Sequence, residues 1–146
     1  MAGDMRPGCC DEPRVLGGGG SSGVPSGAVG CIEVPFAVVA GAMPAAPIDS
    51  ATSIPVGARV SLSQTVVDVA FSGGALPTLA VSAHGAADTT LQAAATDNDL
   101  TIAGQYDVGT SIKCLAGATG PVRLTFGGTA TAGSGRVVVY YSIPQG

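Results

Sequence analysis

The chain has 146 residues, enough for one domain and an extension. Its 10 acidic and 6 basic residues give a net charge of −4, with a single Lys, so it lacks the clustered cations that neutralise nucleic-acid phosphates. Only 11% of residues are charged, against about 25% in an ordinary soluble domain. Two readings of that deficit stand. Partners cover much of the surface, as in an obligate oligomer or particle component, or abundant Ala and Gly inflate a mean hydropathy of +0.45.

Residues 1–50 form an extended Gly/Pro/Cys-rich arm carrying −3 of the charge, and residues 51–146 form the folded domain. The first 31 residues hold nine Gly, three Pro and three of the four Cys. Gly17–Gly20 with Ser21, Ser22 and Gly23 is a flexible linker by composition and orders only against a partner. Asp4, Pro7 and Asp11 stand where a secretory signal has its apolar core. The most apolar stretch, Val34 to Ala46, is broken by Pro35, Gly41 and Pro44, so no segment reaches the roughly 20 residues of a membrane-spanning helix. These features point to a protein made and kept in the cytosol, or released by lysis, with neither a membrane nor a nucleic acid as partner.

Residues 31–39 alternate with Ile32, Val34, Phe36 and Val38 on one side, and Pro35 assigns this strand to a sheet edge or a neighbour's sheet. Residues 40–58 are rich in turns. Val60 and Leu62 share one parity and Val67, Val69 and Phe71 the other, which predicts a bulge near Gln64–Val66. Leu79, Val81 and Ala83 form the next strand. Residues 86–97 read as a short helix or an irregular loop, and Leu100 and Ile102 begin a further strand. Tyr106, Val108 and Ile112–Leu115 follow, then Val122, Leu124 and Phe126. The last strand is apolar on both faces, with Val137, Val139 and Tyr141 on one and Val138 and Tyr140 on the other. It belongs at the centre of a sheet or beneath a partner. Seven or eight short strands with Gly, Pro, Asn or Asp between them give an all-β fold, a β-sandwich or jelly-roll-like domain behind an irregular N-terminal arm.

Four segments carry a resemblance: IPVGARV at 54–60, VVDVAFSGGALPTLAVS at 66–82, DNDLTIAGQYDVG at 97–109 and PVRLTFGGTATAGSGRVVVYYSI at 121–143. Together they resemble, in order, the small all-β structural proteins of tailed bacteriophage particles, over the C-terminal three-fifths of the chain. The resemblance implies a virion accessory part: a capsid decoration or linking protein, partnered by the major capsid protein and by copies of itself. A tail, neck or fibre component is the alternative within that class. A receptor- or carbohydrate-binding module is the alternative outside it, disfavoured because sugar stacking needs exposed aromatics and the chain has no Trp, three Tyr and three Phe. The cysteine-bearing arm departs from the family pattern.

The cysteines are the candidate chemistry. Adjacent Cα atoms lie about 3.8 Å apart, whereas a disulfide spans about 4.4–6.8 Å, so a Cys9–Cys10 bond would be strained and each reaches more easily to a separate partner. Cys9, Cys10 and Cys31 are candidates for intersubunit disulfides formed after release from a reducing cytosol. Cys114 is a further disulfide candidate, pairing with Cys31 within or between chains, or a small buried apolar residue. No Cys knuckle suits zinc, and no cofactor is implied. The only His, His84, has no local partners for nucleophilic catalysis and reads as a loop residue; no enzyme is expected. Asp97, Asn98 and Asp99 offer oxygens to calcium, but without the Gly and distal Glu of an EF-hand they read as an Asx-type turn. The GGGGSSG run lacks the Lys and helix of a phosphate-binding loop.

Overall fold

The structure is a computed structural model. It describes residues 29–143 except 56, 85–87 and 115–119, and only the backbone of 110–114. The described residues form eight strands and no helix: β1 Val29–Ala37, β2 Ile48–Ser53, β3 Arg59–Ser72, β4 Thr78–Ala83, β5 Thr89–Gln92, β6 Gly104–Cys114, β7 Pro121–Gly127 and β8 Ala132–Ser142. Two four-stranded sheets face each other, ordered β1-β8-β3-β6 and β2-β7-β4-β5, with all pairings antiparallel. This is the expected β-sandwich.

Alternation along the strands builds the core. Ile32, Val34 and Phe36 of β1 and Val137, Val139 and Tyr141 of β8 point inward from one sheet. Leu79 and Val81 of β4 and Val122 and Leu124 of β7 meet them from the other, all fully buried. Burying each such side chain contributes about 1.5–3 kcal/mol. Phe36 joins the layers, with its ring centroid 5.8 Å from Phe71 on its own sheet and 5.5 Å from Phe126 on the facing one. As the two-faced sequence requires, β8 is central, paired with β1 on one side and β3 on the other. On its outward face Val138 is still buried. Around it Arg136 reaches Asp68 at 3.2 Å and Glu33 at 3.7 Å, tying three strands together, and the Tyr140 hydroxyl donates to Gln64. Among the described residues strand β1 is an edge, so the N–H that Pro35 lacks costs nothing in the sheet.

Four expectations need correction. Residues 48–53 are a strand. IDSATS shows little apolar alternation because β2 is an edge with most residues exposed. It is held by the Ser50 hydroxyl, which accepts from Val122 N, and by a two-bond Arg123–Asp49 pair. That guanidinium holds the Asp49 carboxyl below its ordinary range. In β3 the phase changes earlier than Gln64–Val66, at Val60–Leu62, with further shifts at Val67–Val69 and Val69–Ser72. The inward residues after the first shift are polar Ser63 and Thr65, which hid the period, and Val69 is left exposed. The 86–97 region contains strand β5, and Leu100 and Ile102 lie in a turn before β6.

Leu124→Ala should lower the unfolding free energy by about 2–5 kcal/mol. A urea melt would show it as a lower midpoint at unchanged slope; a midpoint equal to that of the unsubstituted protein would contradict this account of the core.

Candidate interaction site

Strand direction gives the sandwich two unlike ends. Val29 pairs with Ser142, so the arm enters and the chain leaves at one end. Arg59 and Cys114 lie at that same terminal end. The opposite, distal end is built by residues 38–47, 73–77, 93–103 and 128–131.

Cys9 and Cys10 lie outside the described residues. Cys31 is on β1 opposite Tyr140, 6% exposed, and takes part in a disulfide. Cys114 ends β6, opposite Arg59. Strands β8 and β3 separate β1 from β6. At about 4.8 Å per strand the two cysteines of one chain are roughly 14 Å apart, beyond disulfide reach. The fold therefore does not bring Cys31 and Cys114 together. His84 is a loop residue, its Nδ1 2.6 Å from Asp88 Oδ1. Asp97 and Asp99 make local turns: Asp97 accepts from Ala93 N at 2.7 Å, and Asp99 accepts from both Thr101 N and Thr101 Oγ1. Those two bonds hold the Asp99 carboxyl below its ordinary range. Among the described residues no cluster of three or more His, Cys, Asp or Glu is arranged for a metal ion.

Sequence reasoning missed a buried polar cluster behind the distal end. Gln92 is fully buried. Its Nε2 donates to the carbonyls of Ser63 and Tyr106, and its Oε1 accepts from Thr65 Oγ1 at 2.6 Å and Asn98 Nδ2 at 3.1 Å. Asn98 Nδ2 also donates to the Leu79 carbonyl. One side chain thus ties β3, β5, β6 and the 93–103 segment together. The inward polar residues of β3 were its only trace in the sequence.

The distal end itself presents apolar side chains. Val39, Leu76 and Ile102, 71%, 84% and 59% exposed, are the three most exposed large hydrophobic residues described, and all lie there. The three described non-glycine residues with positive φ, Ala40, Leu76 and Ala95, also lie there. Asp97 and Asp99 are the only charged residues in the distal loops.

An all-β sandwich with one arm-bearing end and one apolar loop end is the class these observations define. Over 90% of its length the chain is similar in fold to 94% of a chain in the cyanophage Pam1 capsid asymmetric unit, with a TM-score of 0.62 and 21% identity. A second match, to FLHE, has a TM-score of 0.39 and 15% identity over 78% of this chain and 97% of that one, too low to carry an argument. No protein-family model matches the chain, and no curated protein matches it.

Gln92→Leu keeps the volume but strips partners from two carbonyls, a hydroxyl and an amide, at about 1–3 kcal/mol for each buried group left unpaired. Chemical denaturation should show a loss larger than that of Thr65→Val, which removes one bond; equal losses would mean that Gln92 does not organise the cluster.

Proposed function

We propose that this protein is a non-catalytic virion structural component that decorates or links the subunits of a tailed-phage capsid and stabilises it. The observation that carries the reading is the fold shared, along nearly the whole of both chains, with a member of a capsid asymmetric unit. The major capsid protein and further copies of this chain are its partners. Composition agrees, since a chain with 11% charged residues suits a surface that partners cover.

In this reading the sandwich is the folded body and the arm is the tether. Residues 1–28, extended, span at most about 90–100 Å, while the 14 residues of β3 span about 48 Å. An arm of that length reaches past its own domain to neighbouring subunits. Cys31 is already paired within its own chain, so Cys9 and Cys10 are the arm residues that form the intersubunit bonds once the particle meets an oxidising medium. Each bridge contributes about 2–4 kcal/mol, repeated over many symmetry copies. Assembly under reducing conditions followed by oxidation leaves subunits free to correct their positions before they are locked.

Native particles run with and without reductant should give a ladder that collapses on reduction. Mass spectrometry should find Cys9 or Cys10 joined to a peptide of another subunit. Cys9→Ser with Cys10→Ser should lower the temperature at which particles release their contents. A monomer band in both lanes, with unchanged heat resistance, would remove the covalent tether from the proposal.

A further inference from the structure

We infer that the distal loops are the face by which the sandwich seats on the capsid shell, and that the shell offers there an apolar socket rimmed by basic side chains. The inference rests on the virion reading for the location of its partner. Its other grounds are the properties of the loops.

Leu76 is the most exposed apolar residue of the face. At 84% exposure its side chain gains almost nothing from burial within its own chain. At φ 47° its backbone is in the left-handed region, which costs a non-glycine residue about 1–2 kcal/mol. Gly or Asn would fill this position at less cost, so folding alone does not account for a leucine. Its loop is nonetheless held firmly. Thr129 N donates to the Ala75 carbonyl at 3.0 Å, and Ala75 N donates to Thr129 Oγ1 at 2.8 Å. Gly128 packs so closely on the Leu76 carbonyl that no Cβ fits between them. A pinned apolar knob loses little conformational freedom on docking, the condition under which contact area becomes affinity.

The surroundings of the knob specify its partner. A cleft of about 290 Å³ lies beside Leu76 and reaches Asp99 and Thr101. A second, of about 470 Å³, lies across the 128–131 turn, against residues 41–45. Val39 and Ile102, both exposed, belong to the same loops as the residues that line the two clefts. None of the distal loops contains a Lys or Arg, so the charge the loops themselves carry is that of Asp97 and Asp99. Electrostatic complementarity then places basic groups on the partner's rim. Val29 and Ser142, the paired outer ends of β1 and β8, lie at the other end, so seating by the distal loops leaves that end of the sandwich uncovered.

The test uses the full chain and capsid shells assembled without it, with binding followed by co-sedimentation across a concentration series. Leu76→Gly removes the knob and relieves the backbone, so its melting temperature should not fall while its affinity drops at least tenfold. Asp99→Lys should weaken binding as well, and Asp88→Asn, at the terminal end, should leave it unchanged. Leu76→Gly binding within twofold of the unsubstituted protein would overturn the docking face while leaving the virion reading intact. No binding by the unsubstituted protein would instead remove the virion reading, and the shell as partner with it.

Discussion

The pairing of the first described strand with the last is the constraint from which the rest of the structure follows. Val29–Ala37 lies against Ser134–Ser142 in an unbroken antiparallel register of nine residue pairs. That register closes the chain on itself and buries the two-faced strand β8 between β1 and β3. It also places Val29 and Ser142, the outer ends of β1 and β8, at one end of the sandwich. Val29, where the described chain begins, and the distal loops consequently lie at opposite ends of the sheets.

Burial and polarity then divide the labour. The aliphatic layer between the sheets supplies the bulk of the stabilisation. The Gln92 cluster has another role. It contains buried hydrogen-bonding groups whose loss costs more than their presence gains, so its effect is to fix one arrangement of β5 and the 93–103 segment against β3 and β6. That segment carries Ile102 and Asp99 of the distal face. The rigidity of an outward-facing surface is thus set from within, by groups that no partner touches. On the exterior, Arg136 between Asp68 and Glu33 ties β8 to its neighbours, though partly exposed ion pairs of this kind are individually weak.

Much of the fold was legible in the sequence, for a physical reason. Strands with one buried face write a period of two, as β4 does with Leu79, Val81 and Ala83, and β7 with Val122, Leu124 and Phe126. A strand buried on both faces writes a continuous apolar run, and RVVVYYSI declared its central place. Where the account from sequence failed, the period was absent or disguised. Strand β2 is an exposed edge held by a hydroxyl and an ion pair, so IDSATS has little hydrophobic signal to read. In β3 the inward positions after the bulge are Ser63 and Thr65, whose partner Gln92 is nearly thirty residues away, and only the fold brings them together. Ile102 has the composition of a strand residue but lies in a turn, stabilised by Asp99 and by the Tyr106 hydroxyl bonding its carbonyl. The distal face was invisible for a related reason. Val39, Leu76 and Ile102 come from three separate connections, and only the strand directions gather them at one end.

The central claim is a regular structural place on a capsid. A difference map between reconstructions of complete particles and of particles lacking this chain tests it most directly. The account predicts difference density repeated by symmetry over the shell, with the sandwich standing on its distal loops and the terminal end turned away from the contact. Density confined to a single vertex or to the tail, or no difference at all, would contradict it.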